Sequence, residues 1–476
     1  MLGWSVTIRK RISQSQWYPW FIFFSVTTGT FMVNLDSSVL NVAFPALLQT
    51  FDAKPSVIQW VITSYLLVIT AIVPTIGKLS DRLGRKPFFI AGISIFTFGS
   101  IMVACSVSLG MMIAFRIVQG IGASMIMGNV MAIIADTFPP GQRGKPLGVV
   151  GSIVAAGTIA GPGVGGIIIE HLSWRAIFFM NVPVGLLSVL MAFILLPASK
   201  KSKKSAEPFD VLGAVFFFVA VACLLVFCSN GYTWGWTSWN SLMSIGLSAA
   251  AWIAFIKQEK RTIEPLIDLS LFRNIRFTIG NITCFISFLL MMVPSMLLPI
   301  YFTSVLSISI GHVGVIMMLQ AVATIVVAPV GGWVADRYGT FRPSILGLSL
   351  VACSLWMLTR LGTETSVVYA AAAILLFGCG LGFFQSPNNI AVLENAPSSK
   401  TGVTGGIMAV VRNFGRVIGV SVSVLVYQLA KDHVPGGADA EAVPVVFWMA
   451  LFIALFAVAL VAGGMRKRST RMQSAD

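Results

Sequence analysis

Charge is what this sequence has least of. Only 10% of its 476 residues are Asp, Glu, Lys or Arg, against about 25% in a soluble domain. A chain so poor in charge, with 57% hydrophobic residues and a mean hydropathy of +0.88, reads as an integral membrane protein. Histidine is scarce too. The three present, His171, His312 and His433, fall in or beside loops rather than within apolar spans. No G-x-x-x-x-G-K-[ST] phosphate loop occurs, which argues against ATP hydrolysis by this chain. The six cysteines (Cys105, Cys223, Cys228, Cys284, Cys353 and Cys379) lie inside apolar stretches without metal-ligand spacing. Neither a disulfide framework nor a zinc site is expected. Paired catalytic groups are missing, so the chain reads as a non-enzyme with no metal and no cofactor.

What is there is apolar sequence in helix-length pieces. Fourteen spans are expected, near 18–47, 57–79, 87–106, 109–134, 146–168, 176–196, 211–229, 241–257, 276–303, 311–335, 342–361, 367–388, 402–430 and 444–465. About 17 apolar residues suffice to cross a bilayer core as a helix, and interruptions at such intervals exclude barrel strands. The first stretch is too long for a signal-peptide core and stays as a span. The net charge of +15 does not point to nucleic acid, because the basic residues alternate along the chain. With the N-terminus in the cytoplasm, 25 of the 32 Lys and Arg fall on the cytoplasmic side and 4 on the outer side. An even number of spans therefore places both termini in the cytoplasm.

A loop repeats. "GKLSDRLGRKP" (77–87) follows the second span and "GWVADRYGTFRP" (332–343) the tenth. Gly77, Asp81, Arg82 and Gly84 match Gly332, Asp336, Arg337 and Gly339 at a constant offset of 255 residues. Two related six-helix bundles follow from this: residues 1–200, then a linker and two-helix insert over 201–275, then 276–476. The loop joining the insert's helices, "NGYTWGWTSWN" (230–240), is rich in Trp, as suits a membrane interface. The repeated frame, with Arg85 added in the first copy, reads as a conformational latch rather than a mere topogenic charge cluster.

Several residues are costly where they stand. Asp36 lies in "FMVNLDSSVLNVAFP" (31–45), ~22 Å along a helix counted from Phe21 at ~1.5 Å per residue. A carboxylate there costs roughly 2.5–3.5 kcal/mol on insertion scales, and burial favours its protonated form. It is expected to carry protons, with a structural hydrogen-bonded Asp as the bland alternative. Arg116, in "FRIVQGIGAS", either binds backbone carbonyls or sits beside Asp36 and tunes its proton affinity. Arg412 and Arg416 either snorkel to an interface or hold an anion. "GTIAGPGVGG" (157–166) matches a dinucleotide fingerprint at Gly161, Gly163 and Gly166, but no strand precedes it and no acid follows at ~20 residues. Gly157, Gly161 and Gly165 instead form a flat stripe for close helix packing, bent by Pro162 and extended by Gly166. It is expected to be a moving seam between the bundles. Asn34, Asn41, Tyr65, Gln320, Gln385 and Asn388 are polar residues on apolar spans and candidate walls of a central cavity.

With these motifs quoted, the chain resembles the fourteen-span drug:proton antiporter branch of the major facilitator superfamily. The resemblance rests on "LDSSVLNVAFP", "GKLSDRLGRKP", "RIVQGIGAS" and "GTIAGPGVGG". It implies an alternating-access fold in a bacterial cytoplasmic membrane and proton-coupled export of amphipathic, cationic compounds. An anionic or neutral metabolite, lipid or antibiotic is the alternative substrate. A non-transporting membrane sensor is the alternative of another class. The resemblance implies proton coupling by Asp36 and Arg116, a latch by Asp81 and its arginines, no partner beyond substrate, protons and lipids, and a monomer. Thr340 and Phe341 stand where the first loop has Arg85 and Lys86, so the second latch is expected to be weaker.

Overall fold

The structure, a computed structural model, describes residues 15–53, 55–139, 142, 144–197, 210–262, 265–397, 401–433 and 439–473. The expected linker around 198–209 lies outside the described residues. In chain order the helices are α1 (Tyr18–Phe51), α2 (Pro55–Leu83), α3 (Arg85–Ala104), α4 (Leu109–Thr137), α5 (Gly144–His171), α6 (Trp174–Phe179), α7 (Asn181–Leu195), α8 (Val211–Trp234), α9 (Trp239–Glu259), α10 (Ile275–Ile300), α11 (Ile310–Tyr338), α12 (Phe341–Leu358), α13 (Val367–Glu394), α14 (Thr401–His433) and α15 (Asp439–Gln473). Only helices or closed barrels can satisfy every backbone group inside hydrocarbon. Among the described residues, thirteen helical segments are long and apolar enough to cross a membrane. The 34-residue α1 makes the fourteenth long segment.

The sixth span is broken. α6 and α7 meet at Met180, so Asn181 opens α7 in the middle of the span. Polar side chains start several other helices where backbone N–H groups lack partners. Ser108 accepts from the Met111 amide at 3.3 Å, and Asp210 from the Gly213 amide at 2.8 Å. The repeated glycine of the loop has a backbone reason. Gly84 has φ 108° and Gly339 φ 81°, where a side chain is strained.

Packing repeats as the sequence does. α1 lies on α5 as α10 lies on α14; α2 lies on α4 as α11 lies on α13; α3 lies on α4 as α12 lies on α13. Close approach at glycine repeats with it. A Cβ on Gly92 would stand 3.0 Å from the Gly122 carbonyl, and one on Gly347 2.7 Å from the Gly380 carbonyl. The two halves meet along α5 against α11 and α13, and along α14 against α2 and α4. α8 and α9 pair with each other, and α8 also rests on α2 and α14. These two helices are the least enclosed of the spans, whereas α4 and α10 are the most enclosed. The contact between the halves is therefore built by α2, α4 and α5 from one half and α11, α13 and α14 from the other.

Candidate functional site

Asp36 is wholly buried and faces the interior of the first bundle. Arg116 Nη1 donates to its Oδ2 at 2.6 Å. The Asn181 amide donates to its Oδ1 at 2.7 Å, and the Gln119 amide does so at 3.1 Å. Ser100 Oγ accepts from Gln119 at 2.7 Å and from Asn181 at 3.4 Å. One carboxylate is thus held by donors from α4 and the start of α7. A buried ion pair repays its desolvation only when its remaining lone pairs and protons are also satisfied, and the amides of Gln119 and Asn181 meet that condition on the acid side.

Arg116 takes both of the places open to it. Its Nε donates to the Val61 carbonyl at 3.1 Å, its Nη1 also donates to Gln119 Oε1 at 2.6 Å, and its Nη2 has no partner among the described residues. The guanidinium carbon stands 3.9 Å from the centre of the Tyr65 ring, a cation–π contact. Tyr65 Oη in turn donates to the Val33 carbonyl at 3.1 Å. The pair sits in a polar knot inside one bundle, satisfied on the acid side and with Arg116 Nη2 left over among the described residues. Asp36 thus faces one cation and two amide donors.

A second buried group lies at the meeting of the halves. Arg412 and Arg416, one turn apart on α14, are each 3% exposed. Neither snorkels: both side chains are buried and end on amide oxygens of neighbouring helices, Asn389 on α13 and Asn34 on α1. Arg412 Nη2 donates to Asn389 Oδ1 at 2.9 Å. Arg416 Nη2 donates to Asn34 Oδ1 at 2.5 Å, joining the second half to α1. Arg416 Nη1 reaches Asn413 Oδ1 at 3.5 Å. Asn34 and Asp36 sit two positions apart on α1, so they point to nearly opposite faces. One faces the seam and the other the bundle interior.

The glycine motif divides in the same way. A Cβ on Gly157 would stand 2.9 Å from the Phe31 carbonyl, one on Gly161 1.8 Å from Ser38 Oγ, and one on Gly165 2.8 Å from Val39 Cγ1. The stripe therefore packs against α1 inside the first bundle and is not the seam expected of it. Gly163, on another face, makes the seam: its Cβ would meet Met318 Cγ at 2.2 Å and the Gly314 carbonyl at 2.8 Å, both on α11. Pro162 and Gly166 are buried in the same helix.

The other predicted residues are distributed. In the first loop, Arg85 pairs with Asp81 at 2.9 Å and with Asp136, and donates to the Ala132 carbonyl at 2.8 Å. This ties the loop to the end of α4. Lys86 donates to the Phe193 and Leu196 carbonyls, each at 2.7 Å. Gly77 lies beside Gly128 of α4, and Arg82 is half-buried. In the second loop Asp336 and Arg337 are exposed. Among the described residues no ion pair holds them, and Arg337 stands 5.9 Å from the Trp333 ring instead. Gln385 donates to Ser287 Oγ at 3.2 Å and Asn388 to the Gly280 carbonyl at 3.0 Å, so both brace α13 on α10. Gln320 is buried on α11 with its amide nitrogen unpartnered among the described residues. The side chain of Asn41 lies outside the described residues. Asn181 and Ser100 were not singled out from the sequence. Asn181 had a signal, as an amide within the apolar "AIFFMNVP" (176–183).

Comparison with known proteins places this geometry. The profile of the Major Facilitator Superfamily matches residues 26–420. The riboflavin transporter RibZ of Clostridioides difficile is 30% identical over 94% of this chain and 98% of its own length. The tetracenomycin C resistance and export protein of Streptomyces glaucescens is 30% identical over 88% and 78%. The multidrug transporter protein MdtP of Bacillus subtilis is 29% identical over 82% and 72%. The human organic anion transporter MFSD10 shares the fold, with a TM-score of 0.65 at 16% identity, over 94% of this chain and 100% of that one. A repeated bundle architecture, the loop motif in both halves and matches over nearly the full length lead to one statement of kinship: this multi-pass membrane protein belongs to the Major Facilitator Superfamily of transporters.

Proposed function

We propose that this chain exports amphipathic small molecules across a bacterial cytoplasmic membrane in exchange for protons. In this reading both termini face the cytoplasm, the protein works as a monomer, and the proton gradient is the only energy source. The observation that carries it is the fully buried Asp36–Arg116 pair, the one ion pair among the described residues in which both partners are wholly enclosed. An ionisable group buried in a membrane span is by default a functional-site candidate, and proton relays and substrate pathways are among its common roles. The similarity to a protein named for resistance and export supports the direction of transport.

The chemistry runs through charge balance. A proton arriving on Asp36 cancels the carboxylate charge and leaves the Arg116 guanidinium without its counter-charge, since Arg cannot release its own proton. The freed cation turns to its remaining acceptors, the Val61 carbonyl and Gln119 Oε1, and to the Tyr65 face. α1 then loses its strongest tie to α4. α1 also carries Asn34, which holds Arg416 of the other half. Protonation inside one bundle therefore loosens the contact between the two, which is what rocking requires. Release of the proton restores the pair and the tie.

The test uses inside-out vesicles with an imposed proton gradient and a panel of fluorescent amphipathic compounds of both charges. Wild-type protein accumulates at least one of them and dissipates the gradient as it does so. Asp36→Asn keeps the shape and most hydrogen bonds, and is expected to fold but lose gradient-driven accumulation. Unchanged proton-driven transport by that variant would sink the proposal.

A further inference from the structure

Four charged side chains lie deep in the fold near its centre or its seam: Asp36, Arg116, Arg412 and Arg416. Asp36 and Arg116 cancel each other. Among the described residues, Arg412 and Arg416 face no anion that cancels them. Their acceptors are the neutral amide oxygens of Asn389, Asn413 and Asn34, Arg412 also meets the Cys284 thiol, and among the described residues no carboxylate pairs with either. Amide oxygens satisfy hydrogen bonds but supply no negative charge. The Nε of Arg412, the Nε of Arg416 and the amide nitrogen of Asn413 are buried donors without partners among the described residues. Both guanidinium groups stand near one ring, Phe288 of α10, at 5.9 and 5.3 Å from its centre. Like charges one turn apart on a helix repel, and low dielectric strengthens that repulsion. An acceptor-rich, negatively charged group relieves it and fits the planar fork of the guanidinium.

We propose that Arg412 and Arg416 bind an anionic group, a carboxylate, sulfonate or phosphate, on the compound that this protein moves, with Phe288 packing against its apolar part. The inference rests on the export reading above and narrows its substrate class from amphipathic small molecules in general to anionic ones. Asp36 is a poor site for a cationic drug because Arg116, Gln119 and Asn181 already occupy its oxygens inside one bundle. Arg416 is well placed to report occupancy. An anion on its guanidinium competes with Asn34, so substrate and proton act on the two faces of α1.

The experiment uses purified full-length protein in proteoliposomes of phosphatidylcholine and phosphatidylethanolamine with a pH gradient. Two probes of one shape are compared, anthracene-9-carboxylate and 9-anthracenylmethylammonium. Wild type is expected to take up the carboxylate at least roughly tenfold faster than the ammonium compound, and Arg412→Gln and Arg416→Gln each to lose roughly tenfold, about the worth of one charge-assisted contact. In detergent the carboxylate should raise the melting temperature of wild type and not of the double Gln variant, as a ligand specific to the native state does. If the Gln variants fail to fold, Arg412→Lys and Arg416→Lys keep the charge but lose the fork, and should weaken carboxylate uptake while leaving its preference over the ammonium probe. Preferential uptake of the ammonium probe, or carboxylate uptake that survives the double Gln change, overturns the anion site. Loss of carboxylate binding when phosphatidylglycerol is added would give the site to lipid and overturn the substrate assignment. An arginine-dependent melting shift with no gradient-driven uptake leaves the anion site standing and removes the export reading instead.

Discussion

The two halves of the molecule share a backbone plan and differ in how they treat buried charge. Gly77, Gly84 and Gly92 recur as Gly332, Gly339 and Gly347, and the helix pairings recur with them. The first half buries a cation with its anion and adds two amides and a hydroxyl around them. The second half buries two cations and gives them amide oxygens, a thiol and an aromatic ring, with no anion among the described residues. Backbone repetition is thus inherited from packing, which both halves need equally. Side-chain chemistry is not repeated, because the two halves divide the work: one holds a balanced, closed pair inside a bundle, and the other holds unbalanced charge at the seam.

Removing half of the balanced pair should have the largest effect. Arg116→Gln leaves a buried carboxylate without its cation, and breaking a buried pair on one side costs about 3–5 kcal/mol. The expected outcome is a large fall in thermal stability together with loss of gradient-driven transport. Asp36→Asn combined with Arg116→Gln removes both charges and should recover most of the stability but none of the coupling. A melting curve for the two single variants and the double variant gives the pair energy directly. Additive losses would mean that the two side chains act independently, and the balanced-pair description of the first half would fail.

The glycine motif sharpens the comparison at the next scale, because one short segment serves a bundle interior on one face and the seam on the other. Gly161→Ala drives a methyl into Ser38 within the first bundle, and overpacking of this kind costs about 1–3 kcal/mol. Gly163→Ala meets α11 across the seam. The first variant should melt lower in every condition. The second should melt near wild type, because the halves can part slightly, yet transport several-fold more slowly, because they can no longer close. Crosslinking of cysteines placed at Val164 and Val315 would read closure without relying on transport. Equal melting losses for both variants would erase the distinction between the two faces.

How much of this was legible in the sequence depends on the cost of each residue. Asp36 and Arg116 stood out because full charges in apolar runs are expensive. Asn181 went unmarked because one neutral amide costs little, and no periodicity flags a helix that starts in mid-span. The stripe of Gly157, Gly161 and Gly165 told that a helix packs closely there, but a stripe carries no information about which helix. It packs on α1, and the seam falls to Gly163. Arg412 and Arg416 were visible as charges, but their burial was not. Whether an arginine near the middle of a long helix reaches an interface depends on what surrounds it, and here both side chains end on amide oxygens of α13 and α1. The span count and the duplicated architecture were legible, because hydropathy and a repeated loop are properties of long stretches that tertiary packing does not override.

The smallest effect belongs to the two loop copies. Arg85 ties the first loop to the end of α4 through Asp81, Asp136 and the Ala132 carbonyl, while Arg337 in the second copy is exposed beside Trp333 and Tyr338. Partly exposed ion pairs contribute about 0–1 kcal/mol, so neither substitution should unfold the protein. Arg85→Gln is expected to lower the melting temperature slightly and to change transport several-fold, since it frees the loop from α4. Arg337→Gln should change transport by less than about twofold, as a surface charge without a fixed partner would. Thr340→Arg tests the cause. If the weaker second loop reflects the missing arginine, supplying one at the position that matches Arg85 should slow the transport cycle by adding a tie to the end of α13. If Thr340→Arg behaves like wild type while Arg85→Gln still impairs transport, the asymmetry comes from the acid on α4 rather than from the loop, because Asp136 is the acceptor that an added arginine in the second half would lack.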